Sequence, residues 1–352
     1  MAAALVAPLL FSTFFCIAPP MQPRVELQAQ VAAAVVTAPP SQAPVLPAFV
    51  DILARAAALS PIKNLVYLCL VNNGFRHFAL NLHLAAQMTT PPMRNLVFYA
   101  LDANVSTYLK HHDVPFVFFD LTPVTVNLSA EASKFRSRDY AKIVGSKAKV
   151  AHEVLVLGYD AFILDADIAL MRNPSNYIVD IPKCDLTVSV DKATHDLAVP
   201  GEGRYSGHNF EAGLVALKIN TGVILWRSTP AAINTLATFL KDKYRTRYPR
   251  IGDDQYEFNK FMATRSKDNS IDRGFLARHS TCSLYRGVST YVLSPVFFAV
   301  SAGARSPLAN ALANMFAVVP YVVHFTDSGD AAGKLGTMRN HSVWLVADER
   351  DF

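Results

Sequence analysis

Charge is what this chain of 352 residues has least of. Only 17% of its residues are charged, the formal net charge is +5, and no run of five or more like charges occurs. No basic stripe of the kind that tracks a phosphate backbone is present, so nothing points to a nucleic-acid partner, while a weakly anionic one stays open. Cysteine is nearly as scarce. Cys16, Cys69, Cys184 and Cys282 form no Cys-x-x-Cys pair and show no zinc-ligand spacing, which argues against a structural metal. Cys16 falls in an N-terminal apolar segment, leaving three cysteines and at most one disulfide for a folded body. Cys184 with Cys282 is one candidate, and the sequence leaves the pairing open. No internal repeat is visible. Against these absences, 51% of residues are hydrophobic, so a chain of this length can bury a large core in one or two domains.

The first twenty residues carry no charged side chain and hold an apolar run from Ala2 to Ala18. That length suits a secretory h-region and is short for a membrane span of roughly 20 residues. Arg and Ser are too sparse for a transit peptide, so residues 1–20 read as a signal peptide or signal-anchor, although no basic residue precedes the run. Acceptor triplets at Asn104-Val-Ser, Asn127-Leu-Ser and Asn340-His-Ser agree with a secretory route. Residues 21–60, rich in Pro and Ala, read as a stem or linker, and the catalytic body is expected over 61–352.

Within the body, strand-like and helical runs alternate. "NLVYLCLV" (64–71), "NLVFYAL" (95–101) and "PFVFFDL" (115–121) read as strands, "RHFALNLHLAAQM" (76–88) as a helix, and residues 133–157 as another helix stopped by Gly158. Such alternation predicts an α/β fold with a mostly parallel sheet covered by helices on both faces.

In "AFILDADIALMRNP" (161–174) an apolar run stops at Asp165 and Asp167. Ligands of parallel sheets bind beyond the carboxyl ends of the strands, and residues i and i+2 of an extended chain point the same way. Both carboxylates can therefore face one ligand. Two hard oxygen donors suit Mg²⁺ or Mn²⁺ carrying a substrate diphosphate, whereas a capping Asp beside a solvated one explains the same pattern without any ion.

Downstream, "INTGVILWRSTP" (219–230) reads as strand, Asn220-Thr221-Gly222 turn, second strand and helix start, with Gly222 allowing close backbone approach. "GDDQYEFNKF" (252–261) places Asp253, Asp254 and Gln255 before a short helix, where an acid can also serve as a simple N-cap. "YVVHFTDSGDAAGKLGTMRNHSVW" (321–344) opens as a buried strand ending in His324 and continues as a Gly-rich loop holding Lys334 and Arg339. His can complete a metal site, and Lys and Arg can bind diphosphate oxygens.

The order "GYDAFILDADIALMRNP", "INTGVILWRST", "DDQYEFN", "HFTDSGDAAGK…MRN…W" resembles the nucleotide-diphospho-sugar transferase family of plants and algae, which includes cell-wall xylosyl-, arabinosyl- and galactosyltransferases. The resemblance covers roughly residues 62–345. It implies a GT-A fold with a Rossmann-like sheet in a single catalytic domain, a nucleotide-sugar donor such as a UDP-sugar, Mn²⁺ (or Mg²⁺), a glycan or glycoprotein acceptor, and retention of anomeric configuration. It also implies roles by position. Asp165, Asp167 and His324 would hold the metal, with Asp165 shared with the donor. Lys147 and Lys334 would meet the donor and its diphosphate. Asn220, Thr221 and Gly222 would line the sugar pocket, and Asp254 with Gln255 would sit beside the anomeric carbon. Here the Asp-x-Asp is followed by Ala169-Leu170 where the family often has an aromatic, and His324 by Phe325-Thr326. With the N-terminal reading, the expected address is the Golgi lumen behind a single-pass type II anchor. Two other classes fit some of these residues. A catalytically inactive nucleotide-sugar or glycan-binding module would keep the fold without turnover. A metal-dependent phosphohydrolase would want a nucleophilic Asp after the first strand, where "LVNNGF" (70–75) has only amides.

Overall fold

Leu65–Val71 (β1) turns Leu65, Tyr67, Cys69 and Val71 to one side and Val66, Leu68 and Leu70 to the other, and every one of them is buried. A strand apolar on both faces belongs inside a sheet covered on both sides. That is its place in the computed structural model, which describes residues 47–118, 138–190, 219–245, 254–264, 282–285, 287–294, 297–300, 319–326 and 330–346. All of them fall within one compact unit, Leu46–Phe352. β1 pairs in parallel with Leu96–Ala100 (β2) and Asp160–Leu164 (β4), and β2 in parallel with Phe116–Phe118 (β3). On its other edge β4 meets Ile219–Trp226 (β7) antiparallel, and the sheet continues through Leu186–Val190 (β6) and Val288–Val292 (β9) to Ser283–Tyr285 (β8). The order is β3-β2-β1-β4-β7-β6-β9-β8. A small second sheet joins Phe298–Val300 (β10), Val322–His324 (β11) and Ile168–Leu170 (β5). The result is the expected α/β architecture of GT-A type.

Helices cover both faces. Arg76–Met88 (α2) and Ala103–His111 (α3) add Phe78, Leu82, Ala86, Val105 and Leu109 to the core on the Tyr67 side. Asp102, just past β2, caps α3, its carboxylate accepting from Val105 N–H at 2.9 Å. On the opposite side, Arg138–Val156 (α4), Pro230–Arg245 (α6) and Asp254–Thr264 (α7) contribute Val154, Leu155, Leu236, Phe239 and Phe258. The short Ser175–Ile178 (α5) follows β5. Gly158 takes the left-handed conformation (φ +86°) that closes α4. Thr229 caps α6, accepting from Ala232 N–H at 3.2 Å, with Pro230 at the first helical position.

The structure departs from the sequence reading at several places. Within the expected stem, Pro47–Ala58 (α1) is a helix whose Phe49, Leu53 and Ala56 enter the second core. Pro is harmless at a first helical position and alanine is the best helix former, so the composition that suggested a linker is also compatible with an N-terminal helix. Burying Leu53 alone is worth about 2 kcal/mol. The body thus starts before residue 61. The Asn220-Thr221-Gly222 stretch is not a turn between two strands but part of β7, where it bulges from β6: Val188 pairs with Ile224 and Ser189 with Asn220, leaving Thr221, Gly222 and Val223 without β6 partners in the ladder. Lys334 and Arg339 stand on a helix, Ala331–Asn340 (α8), rather than in a Gly-rich loop, since Asp330 caps it by accepting from Gly333 N–H at 2.9 Å. Of the expected strand 115–121 only Phe116–Phe118 is described, and of the helix 133–157 the part from Arg138. Cys184 and Cys282 form a disulfide across 98 residues, with Cα atoms 5.6 Å apart, and Cys69 is a buried free thiol. Residues 1–46 and Asn127 lie outside the described residues. Among the described residues no helix is long and apolar enough to cross a membrane.

Candidate active site

Four strand segments bring the site together. Asp165 continues β4 past Leu164, and its N–H donates to the Gly222 carbonyl at 2.8 Å, which extends the pairing of Leu164 with Val223. Asp167 enters β5, which runs antiparallel to β11 so that His324 lies opposite Ile168. The Phe325 N–H donates to the Asp167 carbonyl at 3.0 Å and closes this corner. The small sheet thereby delivers His324, 157 residues downstream of Asp167, to the carboxyl end of β4.

His324 Nε2 lies 3.1 Å from Asp167 Oδ1 and 3.5 Å from Asp165 Oδ2. Candidate ligand atoms of the three side chains all fall within 4.8 Å of one another. Asp167 is the inner acid, its side chain 6% exposed, while that of Asp165 is 25% exposed and faces outward. Each acid also holds a lysine. Lys147, from the middle of α4, reaches Asp165 Oδ1 at 2.5 Å, and Lys334, from the first turn of α8, pairs with Asp167 Oδ2. Burial pushes both carboxyls upward, but the ammonium groups and His324 outweigh it. Asp165 is held at about 2 and Asp167 well below the usual carboxylate range. Burial pushes His324 down, and Asp167 and Asp165 more than reverse this, lifting it to about 9.

Asn220, Thr221 and Gly222 arrive on β7, but Asn220 does not line an open pocket. Its side chain is fully buried, and Oδ1 lies 3.1 Å from His324 Nδ1 while accepting Gly222 N–H at 2.9 Å. Gly222 has no room for a side chain. A Cβ there would run into the His324 ring and come within 2.8 Å of Asp165 Cγ. The close approach read from the sequence is therefore to the site's own side chains. Thr221 is buried and lines a small cavity with Lys147, Gly145 and Phe258. Gln255 is half-buried near the start of α7. One turn later, Asn259 bonds both the N–H and the carbonyl of Ile219, each at 2.8 Å, and docks α7 on the start of β7. Asp254 is the first residue of α7, and its side chain lies outside the described residues. The contact of Asn220 with His324 has no signal in the sequence pattern, because it joins residues 104 apart.

Two carboxylates and an imidazole offer hard oxygen and borderline nitrogen donors, a set that fits Mn²⁺ or Mg²⁺. With basic groups on either side, the arrangement can also receive a diphosphate. The family model for nucleotide-diphospho-sugar transferases matches residues 92–338 and so spans every one of these groups.

The chain belongs to the nucleotide-diphospho-sugar transferase family.

This glycosyltransferase therefore draws its sugar from a nucleotide-sugar donor. No curated protein matches it in sequence. Solved structures of similar fold include galactosyltransferase LgtC in complex with donor and acceptor sugar analogues, at 14% identity, covering 80% of this transferase and 98% of that chain with a TM-score of 0.43. Another is mouse xyloside xylosyltransferase 1 in its apo form, at 14% identity, covering 75% and 98% with a TM-score of 0.38.

Proposed function

We propose that this transferase is a Mn²⁺- or Mg²⁺-dependent enzyme that moves a sugar from a UDP-sugar to a glycan or glycoprotein acceptor, with retention of configuration, in the lumen of the secretory pathway. The observation that carries the metal dependence is the convergence of Asp165, Asp167 and His324, each acid already balanced by a lysine. Bound there, a divalent ion supplies charge neutralisation as the diphosphate leaves. Asp167, the deeper acid, would hold the ion, and Asp165, the more exposed one, would be shared between it and the donor. Lys334 and Lys147 turn from the carboxylates to the diphosphate oxygens, where positive charge lowers the barrier to breaking the glycosidic bond. Gln255 and Asp254 serve the open face of the oxocarbenium-like sugar. The uncharged run Ala2–Ala18 and the acceptor triplets support the luminal address, with that run as a type II anchor in the Golgi.

The test is a panel of nucleotide-sugars assayed for Mn²⁺-dependent hydrolysis and transfer by the wild type and by Asp167→Ala. The wild type should turn over one donor, and Asp167→Ala should lose at least about a hundredfold in rate. Full Mn²⁺-dependent hydrolysis by Asp167→Ala would sink the site assignment. Donor binding without turnover by the wild type would instead identify an inactive binding module of the same fold.

A further inference from the structure

We infer that Asn220 is a positioning residue that holds His324 with its Nδ1 proton turned inward, so that the Nε2 lone pair is presented to the metal beside Asp165 and Asp167. The chain of contacts is directional. A backbone N–H can only donate, so the Asn220 atom that meets Gly222 N–H at 2.9 Å is the amide oxygen. That same oxygen faces His324 Nδ1 at 3.1 Å and can only accept, so Nδ1 must carry the hydrogen. Without metal, Nε2 likewise faces an acceptor, Asp167 Oδ1 at 3.1 Å, with Asp165 Oδ2 at 3.5 Å, so it too carries a hydrogen; when a cation takes the place of that proton, the Asn220 contact keeps the other one on Nδ1 and the Nε2 lone pair is left for the metal. The oxygen cannot swing away, because Asn220 is fully buried and anchored to the backbone two residues on. The ring cannot tilt toward β7 either, since it lies where a Cβ on Gly222 would be. Asn220 and Gly222 thus form one cradle, the first setting the tautomer and the second admitting the ring. Partners of this kind behind a histidine ligand typically govern metal affinity by 10- to about 100-fold.

The inference rests on the proposed metal dependence, and the experiment separates the two. Mn²⁺ alone is titrated into the full chain and into Asn220→Leu, Asn220→Asp and Asn220→Ser, reading free Mn²⁺ by electron paramagnetic resonance. Affinity should fall at least about tenfold in Asn220→Leu and stay within about threefold of wild type in Asn220→Asp, which keeps the acceptor. Asn220→Ser covers the case in which the leucine variant does not fold. Its hydroxyl can still accept Gly222 N–H but is too short to reach the ring, so it should bind Mn²⁺ as weakly as the leucine variant. Wild-type affinity in either the Leu or the Ser variant overturns the inference and reduces Asn220 to a strand residue. In parallel, ¹⁵N spectra of the metal-free protein near pH 7, where both ring nitrogens carry protons, should show a slowly exchanging Nδ1–H at His324 in the wild type and Asn220→Asp that is lost in Asn220→Leu and Asn220→Ser. A wild-type Nδ1–H that exchanges as fast as that of Asn220→Leu also overturns it. If the wild type binds no Mn²⁺, the metal reading fails, and the Nδ1–H spectra alone decide whether Asn220 orients the ring.

Discussion

Strand β4 carries an acid at each end, and the two are satisfied in opposite ways. Asp160, its first residue, accepts from Arg227 Nη1 and from the Ser228 N–H, each at 2.8 Å. Arg227 is itself buried and Ser228 is bonded onward to the Leu155 carbonyl at 2.7 Å. Asp165, just past the other end, is held by Lys147 and His324, side chains from two separate elements and neither of them a guanidinium. A guanidinium and a backbone amide lock a carboxylate in one direction, and such a pair serves as a latch. An ammonium and an imidazole can be exchanged for a cation at the cost of a lysine reorienting and a proton leaving. Identical chemistry at the two ends of one strand thus becomes scaffold at the amino end and a candidate site at the carboxyl end. The deciding feature is the donors that tertiary structure supplies.

Substitutions should divide along that line. The largest effect is expected from Gly222→Ala, which should weaken Mn²⁺ binding by at least about a hundredfold, because a methyl group there collides with rigid, buried partners rather than a flexible chain end. Titration with Mn²⁺ measures it, and unchanged affinity would show that the cradle relaxes freely. Asp160→Ala should do the reverse. It strands the buried Arg227 and should cost about 2–4 kcal/mol in denaturant unfolding while leaving Mn²⁺ affinity within about threefold. A large loss of affinity without loss of stability would erase the distinction between the two ends of the strand.

Next in size is pH. Metal at Nε2 must displace the proton that Asp167 and Asp165 hold on His324 up to about pH 9, whereas Asp165, near 2, stays ionised. Mn²⁺ affinity should therefore rise about tenfold per pH unit from 7 toward 9 and level off above, and calorimetry in two buffers should detect the released proton. The metal-free protein should show the opposite trend. The raised His324 contributes stability that is present below its ordinary value of 6.5 and is lost as pH climbs through about 9. The depressed Asp165 contributes above its ordinary 3.8 and loses that as pH falls through about 2. Stability without metal should thus peak between these limits. The smallest change is expected from Lys334→Met. Freed of its competitor on Asp167, the site should bind Mn²⁺ alone about three- to tenfold tighter, and a nucleoside diphosphate more weakly. Equal affinities for both would place Lys334 outside the exchange.

Much of this molecule follows from local sequence. The unbroken apolar run of β1, the Asp102 cap, the Thr229-Pro230 helix start and the paired acids after an apolar run are all decided by residues within a few positions of one another. The same local reading failed where one composition serves two purposes. The Pro- and Ala-rich stretch around Pro47–Ala58 looked like a linker until Phe49 and Leu53 found a core to enter. The Gly-containing segment after His324 looked like a loop until Asp330 capped it into α8. What only the tertiary structure decided are the pairings of distant residues. Lys334 reaches Asp167 across 167 positions, and Asn220 reaches His324 across 104. No periodicity encodes such contacts, because they depend on an antiparallel β5–β11 pair and on β7 lying beside β4. The sequence by itself determined that two carboxylates would stand at the ligand edge of a sheet. The fold decided which bases, and which amide behind the histidine, would meet them there.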